Sequence, residues 1–223
     1  FELASIGYYD QEFFSYFTDF LKKKYISEGY VQIKILGPYT NFSPDKSSAK
    51  VEYIIQEGRR ANTRSIQFTG VPSEYEQELL DLIKNKLDSP FNPIALSDDI
   101  RDINKFLQNR GYYFAEVSNV NDNSIVEYSP NGAEVNIHFI VNLGPLVKLN
   151  RPIFIGNLKT QRRILQKKIH LKRGDIITPN KTHALESMLS STGLFNSVSV
   201  NPMRHNSSDE HTDLIIKVVE RDY

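Results

Sequence analysis

The amino-acid sequence predicts an α+β fold built from tandem β-α-α-β-β modules. Three similar phrases carry this prediction: GYVQIKILG from Gly29, GYYFAEVSNV from Gly111 and GLFNSVSVNP from Gly193. They recur every 82 residues (111 − 29 and 193 − 111). A local pattern that returns at a fixed period indicates a repeated supersecondary unit. Each glycine also follows an apolar or aromatic pair spaced four residues apart, which is typical of the buried stripe of a helix that ends there.

The segments after each glycine predict a β-hairpin. A first strand is expected at 31–36, 113–120 and 195–201, and a second at 49–58, 133–144 and 212–220. The alternation of Val135, Ile137, Phe139 and Val141 is typical of a strand with one buried face. The intervening segments are rich in Asn, Ser, Asp, Gly and Pro, as hairpin loops are.

An opening strand and a first helix precede the glycine-capped helix. The opening strand is expected at 64–70 and 151–157. Ser73 and Glu76 form a capping box at the start of the first helix in the middle copy, and the second helices are expected to start at Ser97 and Asn180. Each complete module should therefore be a three-stranded mixed sheet covered on one face by two helices, with the final strand in the centre.

The repeat predicts three modules: a truncated one at 1–62 and complete ones at 63–147 and 148–223. The first copy has too few residues before Gly29 for an opening strand and a whole first helix, and Phe1 in place of methionine is typical of an excised fragment. The formal net charge is zero, but residues 64–147 carry 6 basic and 12 acidic side chains, whereas residues 148–223 carry 13 and 7. The two complete modules therefore differ in charge.

Composition excludes several classes of protein. Apolar residues make up 39% of the chain, so wholesale disorder is not expected. No apolar run approaches the ~20 residues of a membrane-spanning helix, and no signal peptide is visible. The absence of cysteine excludes disulfides, thiol chemistry and cysteine zinc sites.

No catalytic, cofactor or metal site is predicted. His205 and His211 flank a hairpin loop, where solvated histidines are commoner than metal ligands. The acids Asp98, Asp99 and Asp102 are expected to complement a helix dipole rather than to transfer protons. Glycine-rich phosphate-binding motifs are absent.

One basic cluster is a candidate binding surface. It consists of Arg162, Arg163, Lys167 and Lys168, with Lys172 and Arg173 just beyond. A solvated helix face is one interpretation, and binding of anionic lipid headgroups or an acidic partner is another. Nucleic acid is disfavoured, because the chain as a whole is neutral and no aromatic residues alternate with the cluster.

The order and spacing of these elements resemble the POTRA domain. The segments that carry the resemblance are ISEGYVQIKI, YIIQEGRR with RSIQFTG, LQNRGYYFAEV, FIVNLGP with RPIFIGN, and LSSTGLFNSVSV. The chain is similar to the periplasmic part of outer-membrane assembly factors of the BamA and TamA type. Such a resemblance implies a non-enzymatic, chaperone-like scaffold without cofactors, tethered to the outer membrane through a C-terminal β-barrel of the same chain. Unfolded outer-membrane proteins and accessory assembly proteins or lipoproteins would be its partners. Alternatives are the POTRA region of a secretion or organelle-import barrel and, in a different class, a small metal-dependent hydrolase.

The strand after each glycine is the predicted client-binding edge. If the final strand is central, this strand lies at the sheet edge, where an extended chain can add to its main chain. The candidate edge residues are Val31, Ile33, Ile35, Tyr113, Ala115, Val117, Phe195, Val198 and Val200. Gly29, Gly111 and Gly193 have a structural role: each should adopt a positive φ, so that valine at Gly111 or Gly193 would destabilise its module by about 1–3 kcal/mol through backbone strain alone.

Overall fold

The computed structural model describes residues 9–121, 124–203 and 210–221 of the 223-residue chain. Among them, no helix is both long and apolar enough to cross a membrane. The helices and strands, in chain order, are α1 (Gln11–Ser27), β1 (Lys34–Phe42), β2 (Ala49–Gln56), β3 (Asn62–Thr69), α2 (Ser73–Leu82), α3 (Pro93–Gln108), β4 (Glu116–Val117), β5 (Val126–Tyr128), β6 (Glu134–Asn142), β7 (Lys148–Ile155), α4 (Arg162–Lys168), α5 (Pro179–Ser190), β8 (Phe195–Pro202) and β9 (His211–Glu220).

In the described part of the first module, which begins at residue 9, one helix accompanies a β-hairpin. The carboxylate of Asp10 accepts hydrogen bonds from the N–H groups of Glu12 and Phe13, which caps the N-terminus of α1. Strands β1 and β2 then pair antiparallel, with a register shift between Leu36 and Tyr39. Within the described residues before β3, the sheet consists of these two strands.

The last module has the predicted sheet. Its strand order is β7-β9-β8, with β7 parallel and β8 antiparallel to β9. The final strand is therefore central, as the sequence predicts. The central position suits its composition, because Leu214, Ile216 and Val218 of β9 are all buried in the core.

The middle module is organised around β6. The strand order is β3-β6-β4, and β5 also pairs with β6, so the final strand is again central. The alternation read from the sequence is confirmed, since Val135, Ile137, Phe139 and Val141 are buried while their neighbours are not. In α2 Leu79 is buried and Leu82 is exposed, and Ile83, directly after the helix, is buried.

The second helix of each complete module starts earlier than predicted. In α3, the side-chain oxygen of Asn92 accepts hydrogen bonds from the N–H groups two and three residues later, at 3.0 and 3.2 Å. Thr178 is the N-cap of α5, rather than Asn180. In both cases a capping residue directly precedes a proline, Pro93 or Pro179, whose fixed φ favours the first helical position. That pair outweighs Ser97, which lies inside α3.

The chain divides into two compact units, and both connections between modules lie inside one unit or the other. The first unit comprises Phe1–Thr69, Glu76–Arg101 and Asn119–Phe139. The second unit comprises Gly70–Tyr75, Asp102–Ser118 and Ile140–Tyr223. In the first unit, the N–H of Ala61 donates to the carbonyl of Gly29 (2.8 Å), and the Ala61 carbonyl accepts from Phe91 N–H (2.9 Å). In the second unit, Val147 N–H donates to the Gly111 carbonyl (2.9 Å), and the Val147 carbonyl accepts from Ile177 N–H (2.8 Å). Gly29 and Gly111 therefore also hydrogen bond to the residues that directly precede the next opening strands, β3 and β7.

Candidate functional site

Strand β8 of the last module lies at the edge of its sheet, because β9 separates it from β7. It contains Phe195, Val198 and Val200, three of the candidate edge residues. The side chains of Phe195 and Val200 are buried in the core. What this edge can offer a partner is therefore its main chain rather than these apolar side chains.

One main-chain donor of β8 is already engaged. The N–H of Val200 donates to the carboxylate of Glu186, on α5, at 2.7 Å, so it points away from β9. Residues of an antiparallel strand point their N–H and C=O groups alternately toward and away from the partner, so Val198 also points outward. Pro202, at the end of β8, has no N–H. Few free donors remain along this edge.

The edge strand of the middle module is interrupted in the described residues. The prediction of a strand over 113–120 is wrong, because β4 spans only Glu116–Val117. Tyr113 and Ala115 lie before β4, in a turn where Ala115 N–H donates to the carbonyl of Tyr112 at 2.8 Å.

The aromatic residues after Gly111 pack against the last module instead of forming a strand. Tyr113 and Phe114 lie against its core cluster, and the Tyr113 hydroxyl is 3.4 Å from the hydroxyl oxygen of Thr182. Packing two aromatic rings against this core competes with the additional ladder hydrogen bonds that a longer strand would form. An alternation of apolar and polar residues in the sequence does not show whether the apolar side chains belong to a strand or pack against a neighbouring module.

The short strand β4 has an acceptor like that of β8. The N–H of Val117 donates to the side-chain oxygen of Asn104, on α3, at 2.8 Å. Asn104 and Glu186 are 82 residues apart (186 − 104), which is the period of the repeat. In both complete modules a side chain of the second helix thus accepts an N–H of the edge strand.

The first module has the longest edge strand, β1, with nine residues. It begins later than predicted, because Ile33 N–H donates to the Tyr30 carbonyl (3.2 Å) in a turn that includes Val31. Of the three candidate edge residues of this module, only Ile35 lies in the strand. Strand β1 instead continues to Phe42, through residues that the sequence predicts as a loop.

The outer edge of β1 presents main-chain groups in a defined order. The N–H of Ser43 donates to the carbonyl of Ser48 (2.9 Å), which closes the hairpin next to the Phe42–Ala49 pair. By the alternation of the ladder, the main-chain groups of Thr40 and Phe42 then point outward. The side chains of Phe42 and Tyr39 are about half exposed. This edge therefore combines unpaired main-chain positions with exposed aromatic surface.

The basic cluster lies on α4 of the last module. Arg162, Arg163, Lys167 and Lys168 are all exposed, and within the described part of the chain none of them forms an ion pair with a carboxylate. The loop that precedes α4 carries Leu158, whose side chain is 94% exposed.

A carboxylate on β9 holds this loop in place. The carboxylate of Glu220 accepts hydrogen bonds from the N–H groups of Lys159 (2.8 Å) and Thr160 (2.6 Å). Hydrogen bonding from Thr160 and from these N–H groups lowers the pKa of Glu220 below its usual value. Leu158 is therefore exposed on a loop that is held by specific contacts.

Asp98 and Asp99, which are expected from the sequence to complement a helix dipole, instead form hydrogen bonds and ion pairs with other residues. Asp99 is buried inside α3, and its carboxylate accepts hydrogen bonds from the N–H of Lys84 (2.5 Å) and from the N–H and side-chain amide of Asn85 (3.3 and 2.7 Å). It therefore anchors the segment that follows α2. Asp98 is on the surface, where ion pairs with Lys84 and Arg101 lower its pKa.

Among the described residues, no group of three or more His, Cys, Asp or Glu side chains is placed to hold a metal ion. His211 begins β9, and His205 lies outside the described residues.

The three repeated glycines have positive φ values, as predicted: +93° at Gly29, +102° at Gly111 and +73° at Gly193. Their surroundings differ. A Cβ on Gly29 would lie 2.6 Å from the carbonyl oxygen of Ala61, and one on Gly111 would lie 2.5 Å from Cγ2 of Ile176, whereas one on Gly193 would meet no atom within 4 Å.

Comparison with known proteins identifies these modules. A family model named POTRA, described as the surface antigen variable number repeat, matches residues 61–144 and 147–221. The chain belongs to the POTRA family. This membership confirms the resemblance inferred from the repeat.

Two curated relatives are both named outer membrane protein assembly factor BamA. The protein from Nitratidesulfovibrio vulgaris strain Hildenborough is 23% identical over 200 residues, which cover 88% of this chain and 24% of the relative. That from Buchnera aphidicola subsp. Acyrthosiphon pisum is 22% identical over 203 residues, covering 90% and 32%. The chain thus spans about a quarter to a third of the length of these relatives.

Two solved structures share the fold. BamA POTRA3-5 from Haemophilus influenzae superposes with a TM-score of 0.59 at 21% identity, covering 96% of this chain and 83% of that one. BamA from Haemophilus ducreyi lacking POTRA domains 1-3 gives 0.56 at 24% identity, covering 73% and 29%. At such identities the likeness concerns the fold of the modules.

Proposed function

We propose that this chain is the periplasmic POTRA string of an outer-membrane β-barrel assembly factor, with module boundaries at 1–62, 63–147 and 148–223. It binds unfolded outer-membrane proteins as extended strands, and it works with accessory assembly proteins or lipoproteins and with a C-terminal membrane barrel of the same chain. The names of both curated relatives support this role. The observation that carries the binding mechanism is the outer edge of β1.

Strand addition at β1 follows from the chemistry of an exposed sheet edge. An incoming strand pairs with the outward main-chain groups of Thr40 and Phe42, and its side chains contact Tyr39 and Phe42. Main-chain pairing tolerates most side chains, which suits clients that share strand content rather than a sequence. Ordering a flexible peptide offsets most of the gain, so we expect a dissociation constant of roughly 10 μM to 1 mM for a single strand.

A pair of substitutions at Thr40 tests this mechanism. Thr40→Pro removes the outward N–H, whereas Thr40→Val keeps it, and both variants lose the hydroxyl that donates to Tyr9. We expect a synthetic ten-residue peptide of alternating aromatic and threonine residues to shift the amide NMR signals of β1 in the wild type and in Thr40→Val, but not in Thr40→Pro. Equal shifts in both variants would exclude addition at this edge.

A second binding function, for an anionic phospholipid surface, is favoured by the basic cluster on α4. Arg162, Arg163, Lys167 and Lys168 supply positive charge without acidic partners in the described residues. The neighbouring Leu158 supplies an apolar side chain that can insert below the headgroups. An acidic protein would account for the charges but not for an exposed leucine held by the Glu220 contacts.

Vesicle sedimentation tests lipid binding. We expect more protein to pellet with phosphatidylcholine vesicles that contain about a third phosphatidylglycerol than with phosphatidylcholine alone, each basic residue near the surface contributing about 1 kcal/mol. Leu158→Ser and the double variant Arg162→Gln, Arg163→Gln should each reduce the pelleted fraction. Equal pelleting with both vesicle types would contradict the proposal, and binding to an acidic peptide but not to vesicles would assign the cluster to a protein partner.

A further inference from the structure

Side-chain acceptors on the second helices are placed so as to decide which sheet edges can accept a strand. We propose that Asn104 and Glu186 close the edges of the two complete modules, and that Lys22, at the corresponding position of the first module, leaves that edge open. We call Asn104 and Glu186 the edge caps. The inference rests on the strand-addition function proposed above and specifies which of the three strands that follow the capping glycines performs it.

The two edge caps act on equivalent main-chain groups. Asn104 accepts from Val117 N–H at 2.8 Å, and Glu186 accepts from Val200 N–H at 2.7 Å. The side chains of both valines are buried in the core, so the two residues have the same orientation in their sheets. In each module the cap occupies the place where the carbonyl oxygen of an added strand would have to lie.

The equivalence holds although the sequences of the edge strands are out of register. Val117 lies six residues after Gly111, and Val200 lies seven after Gly193 (117 − 111 and 200 − 193). A register shift between Phe195 and Ser197 in β8 accommodates the additional residue. The caps therefore meet corresponding N–H groups, while their own spacing stays at the period of the repeat.

The cap in the last module forms the stronger hydrogen bond of the two. Glu186 is a carboxylate acceptor, and hydrogen bonds to charged acceptors are stronger than those to neutral ones. Its second oxygen lies 3.1 Å from Nδ1 of His183. An incoming strand must break the Glu186 contact before it can reach Val200, and Pro202 offers it no N–H further along.

In the first module the corresponding residue cannot cap. Lys22 lies 82 residues before Asn104 (104 − 22), and Ile35 lies 82 before Val117 (117 − 35). A lysine ammonium group has three donors and no acceptor, so it cannot receive a main-chain N–H. Lys22 and Lys34 line an open cavity of about 610 Å³ beside the start of β1. Lys22 can instead donate to a carbonyl group of an added strand.

Amide hydrogen exchange measures the caps without any client. We expect Val200 N–H to exchange about tenfold faster in Glu186→Ala than in the wild type, as the loss of one hydrogen bond would allow. Glu186→Gln keeps a side-chain oxygen and should leave the rate nearly unchanged. Asn104→Ala and Asn104→Asp form the corresponding pair for Val117. If the exchange rates of both amides are unchanged in the alanine variants, the proposal that these side chains cap the two N–H groups is wrong.

Peptide titration measures what the caps control. With the alternating ten-residue peptide, wild-type protein should show amide shifts in β1 but not in β4 or β8, and Glu186→Ala should add shifts in β8. Lys22→Gln introduces an acceptor at the cap position of the first module, and Lys22→Met removes the charge without introducing one. We expect Lys22→Gln to weaken binding at β1 about three- to tenfold relative to Lys22→Met.

The outcomes separate the two proposals. Equal shifts at β1 and β8 in the wild type would show that the caps do not select the edge, while the strand-addition function would stand. A peptide that shifts no edge in any variant would overturn the strand-addition function and, with it, the role of the caps as selectors. The exchange rates would then still report whether the two hydrogen bonds exist.

Discussion

Alanine at Gly111 should destabilise the protein more than alanine at Gly193, although the two glycines are equivalent in sequence. Both have positive φ, +102° and +73°, so both substitutions incur backbone strain. Only Gly111 is also crowded: its Cβ would lie 2.5 Å from Ile176 Cγ2 and 2.9 Å from Leu146 Cδ2. The prediction that backbone strain alone sets the cost therefore applies to Gly193 and not to Gly111.

The magnitudes follow from these two contributions. Positive φ for a residue with a Cβ costs about 1–2 kcal/mol, which is the whole expected effect of Gly193→Ala. Overpacking adds about 1–3 kcal/mol at Gly111, toward the lower end because Ile176 is 38% exposed and can shift. We therefore expect Gly111→Ala to lower the free energy of unfolding by about 2–4 kcal/mol.

Urea denaturation followed by circular dichroism measures the difference. Gly174→Ala is a further control, because Gly174 has a φ of +89° and no atom within 4 Å of its Cβ position. If Gly193→Ala destabilises as much as Gly111→Ala, crowding at the connection between the modules contributes nothing and the argument fails. Amide exchange at Val147, whose N–H donates to the Gly111 carbonyl, reports whether that connection loosens.

Two further predictions concern carboxylates. Asp99→Ala should destabilise the protein by about 2–4 kcal/mol in urea denaturation, because it leaves several buried donors unpaired, whereas Asp98→Ala on the surface should cost under about 1 kcal/mol; similar effects would contradict the anchoring role. Hydrogen bonds, first from the hydroxyls of Ser43 and Ser47, lower the pKa of Asp45 to about 2. Since the folded value lies below the unfolded one, the resulting stabilisation is complete above about pH 4 and is lost as the pH falls toward 2. NMR titration of the Asp45 carboxyl group should give a higher pKa in Ser43→Ala, and an unchanged value would exclude this cause.

The repeat predicts the fold well because each repeated glycine has a positive φ and marks the place where a helix ends. The central strands β6 and β9 were predicted because their alternating apolar residues fill a core, and Val135 and Ile216 are indeed fully buried. Helix starts were harder to predict. Pro93 and Pro179 are the first helical residues of α3 and α5, and a capping residue before proline is the sequence signal that marks such starts.

The edges were predicted less well because contacts distant in sequence determine them. Tyr113 is of a residue type common in strands, but it lies against the core of the last module. The segment from Pro38 to Phe42 has the composition of a loop, but pairing with β2 extends β1 through it. Asn104 and Glu186 looked like ordinary polar residues of a helix surface, and only the structure places them beside Val117 and Val200.

An exposed sheet edge is a liability, because any extended chain can pair with it, including another copy of the same protein. This chain protects its edges by different means: an interrupted strand with Asn104 in the middle module, and Glu186 with Pro202 in the last. The first edge instead carries Lys22 and Lys34, which line the cavity beside the start of β1. Two copies that paired through this edge would bring like charges together, whereas a neutral extended strand would meet no such repulsion. Positive charge in place of a side-chain acceptor therefore disfavours self-association without closing the edge to an added neutral strand.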